Sequence, residues 1–399
     1  MNIPPSLCLQ CRGSKHLCGL AYCPVMVRLN ISRISVSNYI EGSSPPSVFV
    51  GRIGYPKIAV GPLIPPIKSD TTIYDKIERW SNLDLDTILN YRLSLVRGKI
   101  MYNINDANNP DRRLLQLQEL AISKEPVDSE MRLENIMTRV YINDNTPPFG
   151  PSGNIISFKN SNPKVDQRVE KVWYDRDLKS VDAVLKLYDE NIDISSIVKA
   201  FSIGVLGIKK RLVPTRWSIT AIDDIISKAL IKRFRDYNSI DEYYVYTRHV
   251  SMNSFVAILI PSIWQFEWIE AWFPNTTWNL SKEVEIIGDH EWYKGINHYA
   301  KVGGCYYSAR LATAEHLIRL KRRGGALLLR EIYPGFNLPI GVWFVREQLR
   351  EMFKNKPMRF GSMDKAIEYA MNHLTIPYYK WKEKSSILNK REKSILDYL

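Results

Sequence analysis

Four of the five cysteines fall within the first 23 residues: Cys8 and Cys11 are separated by two residues, and Cys18 and Cys23 by four. Six residues join the two pairs. This spacing suits one tetrahedral zinc ion (Zn2+), because each short pair wraps two thiolates around the metal. A closed set of four protein ligands leaves no position for water, so the expected site is structural rather than catalytic. His16 is an alternative fourth ligand, and two disulfides or buried thiols are the competing reading. Arg12, Lys15 and Arg28 would offset the excess negative charge of four thiolates on one dication. Removing the metal is expected to loosen roughly the first 30 residues and to leave the larger core folded.

The other end carries a different pattern. A run containing Lys380, Lys382, Lys384, Lys390 and Arg391 is followed by EKSILDYL at 392–399, an apolar end on a polar tail. A 3₁₀ turn repeats every three residues, so Ile395 and Tyr398 would share one side with Leu399 beside them, a three-pronged plug for a hydrophobic pocket. This resembles the peptide motif that binds the replication sliding clamp (PCNA): glutamine, two variable residues, an aliphatic, two variable residues, then two aromatics. Ile395 takes the aliphatic place, Tyr398 the first aromatic place and Leu399 the second. Glu392 stands where glutamine is usual and lacks the amide donor, and Leu399 is not aromatic, so a modest affinity is implied. The alternative is a terminal helical turn packed on its own domain.

Between these ends the common catalytic signatures are absent: no G-x-S-x-G, H-E-x-x-H, G-x-x-x-x-G-K-[ST] or G-x-G-x-x-G occurs. Three segments combine glycine with arginine in ways that suit a phosphate. Arg52 sits between Gly51 and Gly54 in a turn where missing side chains let a ligand approach the backbone. Lys209, Lys210, Arg211 and Arg216 cluster with Trp217, the mixture of cation and stacking surface used on nucleic acid. Gly303 and Gly304 precede a helix that carries Arg310 one turn inside, where exposed N–H groups and the guanidinium could together receive an anion. Asp223 and Asp224 could hold a metal, but Thr220 three residues before Asp223 has the spacing of a helix capping box. His249 and His290 are the weak acid–base candidates.

The elements that must position these groups follow from composition and period. With 45% hydrophobic residues in 399, the chain can bury a substantial core. Lys and Arg outnumber Asp and Glu by 55 to 42, which favours a polyanionic partner such as DNA, or else reflects a lysine-rich solvated surface. The longest apolar run, 255–264, is broken by Pro261 and Ser262, so no membrane span and no membrane partner are expected. Pro4, Pro5 and the early cysteines replace the apolar stretch of a secretory signal, which places the chain in a reducing, cytoplasmic compartment.

Helical periodicity appears through Ile73 and Ile77, Leu85 to Leu95, 114–120 and 131–137, so the first third reads as helical beyond a bent β unit at 44–66. The segment NTPPFGPSG at 145–153 is the clearest break. Beyond it come two charged helices, a strand at 202–206, a helix from Ile222, and strands at 243–250, 255–260 and 266–272. A helix at 306–322 ends at Gly324 or Gly325 and leads into a strand at 326–332, and helices at 346–353 and 363–373 follow. The expected fold is mixed α/β (α+β), with a helix-rich N-terminal part and a mixed sheet flanked by helices in the C-terminal part. Residues 1–30 form the zinc module, 31–150 and 151–378 the two parts of the body, and 379–399 a flexible basic tail.

Taken together, SPPSVFVGRIGYP at 44–56, GVLGIKKRLVPTRWSITAIDD at 204–224 and YKGINHYAKVGGCYYSARLATAEHL at 293–317 resemble the archaeal NreA family of DNA repair proteins. Those proteins are similar in starting with a cysteine zinc module and ending with a clamp-binding tail. The resemblance implies archaeal DNA repair, association with the sliding clamp and a place at the nucleoid, and it transfers no active site. The leading reading is a DNA-binding repair factor recruited by the clamp. A repair enzyme acting on DNA or a nucleotide, with Arg52, Arg216, Arg310 and His290 around a phosphate, is the second. An RNA-binding or translation factor is the third.

Overall fold

The computed structural model describes residues 5–12, 17–19 and 36–390, apart from Arg139, Tyr141, Asp144, Leu280, Asn337 and Leu338. The expectations for Cys23, His16 and the terminal motif at 392–399 lie outside the described residues. Two compact units divide the chain: one is residues 30–226, and the other is discontinuous, combining residues 1–29 with 227–399. Among the described residues each is centred on a six-stranded mixed sheet.

The first described element is the short helix α1 (Pro5–Cys11). In the unit of residues 30–226, strands β1 (Tyr39–Ser44), β2 (Val48–Val50), β3 (Lys57–Ile64), β4 (Val96–Asn103), β5 (Val127–Met137) and β6 (Ser152–Asn160) lie in the order β1-β5-β6-β4-β3-β2. Only the β4–β6 pair runs parallel among these neighbours. Helices α2 (Leu85–Leu93), α3 (Arg112–Ala121), α4 (Gln167–Tyr174), α5 (Ser180–Asp189) and α6 (Ile194–Ser202) accompany the sheet. Helix α3 shows why the local sequence folds as it does. Asp111 caps it by accepting from the Leu114 N–H at 2.7 Å, and Leu114, Leu117, Leu120 and Ala121 return to one buried face.

The structure departs from three of the expected elements. Residues 131–137 form the end of β5 rather than a helix, because from Val127 the burial alternates strictly: Val127, Ser129, Met131 and Leu133 point inward between Asp128, Glu130, Arg132 and Glu134. Period two, not 3.6, governs the segment. Residues 202–206 are no strand but a Schellman end to α6, in which the Gly204 N–H donates to Phe201 O and the Val205 N–H to Ala200 O. The stretch through Ile73 and Ile77 makes two 3₁₀ turns, Thr72–Tyr74 and Ile77–Arg79. The break at 145–153 leads straight into β6, which pairs with both β4 and β5, so both of its sides belong to one unit.

Helix α7 (Thr215–Phe234) contains the division between units. After it come β7 (Tyr243–Val250), β8 (Asn253–Ile260), β9 (Phe266–Trp272), β10 (Glu285–Glu291), α8 (Gly304–Leu320), β11 (Gly325–Ile332), α9 (Trp343–Met352), β12 (Met358–Phe360), α10 (Met363–Met371), α11 (Tyr378–Lys384) and α12 (Ser386–Lys390). The strand order is β10-β9-β11-β8-β7-β12, with β9 and β11 parallel. Every residue of β8, β9 and β11 is buried, as runs such as FVAILI and ALLL require of central strands covered on both faces.

The basic segment from residue 379 is docked as far as Lys390, which corrects the expectation of a tail loose from 379. Trp381, Ile387 and Leu388 join the core around Val245, Ile258 and Leu329. The Glu267 carboxylate accepts from the Ser386 and Ile387 N–H groups at 2.7 and 3.1 Å and from the Ser385 hydroxyl, an anion seated at the start of α12. Four lysines and an arginine between residues 380 and 391 mask this one tryptophan-led anchor. Among the described residues no helix is long and apolar enough to cross a membrane.

Candidate nucleic-acid interface

The turn joining β2 to β3, residues 51–56, is the sharpest feature of the first unit. Gly54 has φ +86, and a Cβ there would meet Lys57 O at 2.6 Å, so only glycine fits. The turn holds itself with Lys57 N–H donating to Gly54 O at 2.9 Å, and Gly51 N–H closes the strand pair on Ala59 O at 2.8 Å. Beneath it the Arg97 guanidinium donates to Ala59 O at 2.8 Å and lies over the Phe49 ring at 4.5 Å. The turn is therefore mounted on a rigid base, with Ile53 projecting at 86% exposure and Tyr55 at 49%.

The loop from Ile203 to Pro214 is stitched to the same place. Pro56 O accepts from Ile104 N–H at 3.0 Å, and Ile104 O in turn accepts from Leu212 N–H at 2.8 Å. Val50 N–H donates to the Thr215 hydroxyl at 2.9 Å, which anchors the first turn of α7 to the end of β2. Gly204, at φ +76 with Arg211 O only 2.6 Å from where a Cβ would lie, lets the loop fold back on itself. As a result Trp217 meets Tyr55, with ring centroids 5.3 Å apart and planes inclined at 51°. Trp217 is 45% exposed, and Ile208, Lys209 and Arg211 are exposed on the loop.

The structure thus unites two of the three glycine–arginine segments. It also sorts their cations. Lys209 and Arg211 face solvent and Arg52 is half-buried, whereas Arg216 is buried. Lys210 turns inward, donating to Trp173 O at 2.9 Å, and burial together with nearby Arg176 lowers its pKa below the usual lysine value. Sequence reasoning missed Ile53 and Tyr55 as members of this surface. One signal was available: no acidic residue occurs between Glu41 and Asp70 or between Asp193 and Asp223, and these two acid-free stretches are the ones that converge.

The remaining candidates go elsewhere. Gly303 does precede α8, at φ +72, but Arg310 is 1% exposed and belongs to the core. It donates to Glu291 Oε2 at 2.8 Å and to the Ser227 hydroxyl at 3.1 Å, with Tyr306 and Tyr307 beside it. The anion site expected at this helix start is corrected accordingly, because the guanidinium is already charge-paired inside the protein. Thr220 lies within α7, so the capping box read at Thr220 and Asp223 does not form, and Asp223 is buried. His249 is exposed, with Nδ1 2.9 Å from the Ser254 hydroxyl. His290 Nδ1 lies 3.0 Å from the Ser386 hydroxyl beside Trp292, an anchoring role. A cavity of about 240 Å³ lined by Asp75, Lys76, Asp166, Arg168, Asp193 and Lys199 holds charges that neutralise one another in pairs.

Of the cysteines, Cys8 and Cys11 fall one turn apart on α1, with Cys11 buried, and Cys18 is half-buried. Four sulfur donors suit zinc chemically, yet among the described residues no three groups assemble that could hold a metal. Cys305 is a core residue: Arg12 donates to its sulfur at 3.3 Å, and burial, with the Glu270 charge, pushes its thiol up to about 12.

The geometry defines a mixed α/β protein of two sheet-centred units, one of which presents a basic and aromatic surface suited to a polyanion. Family models described as "Archaeal Nre, N-terminal" and "Archaeal Nre, C-terminal" match residues 17–279 and 291–398. The chain belongs to the archaeal Nre family. It is 42% identical to the DNA repair protein NreB of Archaeoglobus fulgidus, over 98% of this chain and the whole of that one. It is 35% identical to the DNA repair protein NreA of the same organism, over 91% and 92% of the two chains. The DNA repair protein NreA of Haloferax volcanii is 30% identical over 90% and 89%. No solved structure matches.

Proposed function

We propose that this chain is a cytoplasmic, nucleoid-associated DNA repair factor that grips DNA phosphates through the surface around residues 51–56 and 208–217. In this reading the sliding clamp recruits it through Ile395, Tyr398 and Leu399, and zinc held by Cys8, Cys11, Cys18 and Cys23 stabilises the N-terminal module. The relatives' names supply the process. The convergence of two acid-free segments supports the contact: the turn that carries Arg52 is tied through Pro56 and Ile104 to the loop that carries Lys209 and Arg211, and its Tyr55 meets Trp217. A repair role needs a way to hold nucleic acid, and cations fixed on hydrogen-bonded backbone lose little entropy when they bind phosphate.

Fluorescence anisotropy with labelled DNA over a salt series tests this. Affinity should fall steeply with salt, and the double substitution Lys209→Glu, Arg211→Glu should weaken binding at least tenfold and flatten the log–log salt slope by roughly 1.5 to 2. Binding indifferent to salt and to both substitutions would remove the proposal.

A further inference from the structure

We infer that the Tyr55–Trp217 pair and Ile53 receive unstacked bases, so that this surface selects DNA with a single-stranded or locally opened region over intact duplex. The inference rests on the DNA-binding reading above and names its substrate class.

Cations alone suffice for the backbone of a duplex, and this surface carries more than cations. Ile53 stands 86% exposed at the tip of the turn, a position where an aliphatic side chain contributes nothing to folding. Two residues on, Tyr55 keeps half of its surface open and leans on Trp217 with the planes 51° apart. A parallel stack would hide one face of each ring. With both rings about half exposed, the tilt leaves part of their faces to solvent, and their support is stiff: the Pro56 carbonyl accepts from the Ile104 N–H and the Thr215 hydroxyl from the Val50 N–H.

In intact duplex the base faces are stacked on each other and only edges and phosphates are presented, so these rings and this isoleucine would find nothing to cover them. An unpaired base presents a π-face, which aromatic side chains take irrespective of sequence, while flanking cations hold the phosphates on either side. An aliphatic tip beside the rings suits the gap left when neighbouring bases part. Lys209 and Arg211 lie on the loop that the Ile104 hydrogen bonds fasten to Pro56, so cations and rings share one frame.

The test compares single-stranded DNA, duplex of the same length, and duplex with a central mismatched bubble, by anisotropy at one salt concentration. Wild-type protein should prefer the single strand and the bubble. Trp217→Ala should reduce the ratio of single-strand to duplex affinity by about 5- to 150-fold, the span attributable to one base–aromatic stack. Trp217→Phe should restore most of that ratio, and Tyr55→Ala and Ile53→Ser should lower it. Lys209→Glu with Arg211→Glu should weaken all three ligands while holding the ratio. If wild type binds duplex as well as single strand, or Trp217→Ala leaves the ratio unchanged, the inference falls while the charge substitutions still support DNA binding. If no DNA binds, the underlying reading falls with it. Tighter binding of single-stranded RNA of the same sequence would overturn the assignment to DNA.

Discussion

Arg12 and Glu270 meet inside the core of the discontinuous unit, where Arg12 Nη2 donates to Glu270 Oε2 at 2.6 Å with both side chains sealed from solvent. Arg330 donates to the other carboxylate oxygen at 3.1 Å, and Trp272 Nε1 donates to Oε2 at 3.2 Å. Burial alone would push the Glu270 carboxyl up, but the two guanidiniums hold it below the usual carboxylate range. Arg12 follows α1 directly, so the helix bearing Cys8 and Cys11 is fastened to the central strands and is no separate appendage. Arg12→Ala leaves a buried carboxylate with one cation instead of two and should cost about 3–5 kcal/mol of unfolding free energy. Guanidinium denaturation followed by tryptophan fluorescence measures this, and a loss below about 1 kcal/mol would show that the contact carries no weight.

His316 gives a pH dependence. Its ring is stacked on Phe353 at 4.4 Å, Arg319 donates to Nδ1, and Nε2 therefore carries the proton and donates to the Tyr246 hydroxyl at 2.8 Å. Burial first, and the Arg319 charge second, lower its pKa to about 3. Between that value and the unfolded value near 6.5 the unfolded chain binds the extra proton, so stability falls as pH drops through this window, by about 1.4 kcal/mol per pH unit. Wild type should lose roughly 2 kcal/mol more than His316→Gln between pH 7 and pH 5. Equal losses in the two proteins would contradict the buried neutral histidine.

The end of the chain should separate into an anchoring part and a recruiting part. Trp381 is fully buried, and Trp381→Ala should destabilise the second unit by about 3–5 kcal/mol. A chain ending at Arg391 should keep its unfolding midpoint and lose affinity for the cognate sliding clamp in a calorimetric titration. Clamp binding unchanged by that truncation would move the site into the body.

Metal content tests the cysteine reading. The purified protein should carry about one zinc per chain by atomic absorption, and Cys11→Ser should carry less. Because Leu9, Cys11 and Arg12 are all buried, metal loss should also lower the stability of the unit they pack in, contrary to the insulated module that spacing alone suggests. Metal-free protein of full stability would exclude zinc as a structural element here.

The sequence made α3, α8, β7 to β9 and β11 legible because each is dense in apolar, aromatic or branched residues, although α8 ends at a left-handed Lys321 rather than at Gly324 or Gly325. Of the first sheet only β2 and β3 were legible, as the bent β unit at 44–66. Strands β1 and β6 have little apolar patterning, and β1 finds its partner β5 far along the chain, so their pairing leaves no local trace. The candidate surface was half legible. Arg52, the lysine–arginine loop and Trp217 stood out by type, but only the fold reveals that Tyr55 meets Trp217. Arg310 misled because its helix position was read correctly while its face was not: Glu291, 19 residues upstream, claims it in the core.

The pairing of Arg12 with Glu270 spans 258 residues, which sets an order on synthesis. At roughly 5–20 residues per second, a ribosome needs on the order of ten to fifty seconds after making Arg12 before it makes the carboxylate that receives it. The whole of residues 30–226 emerges in that interval and has every strand of its own sheet. Helix α1 is therefore made before the first sheet and seated only after that sheet is complete, and its cysteines stay outside the core they join until β9 is made.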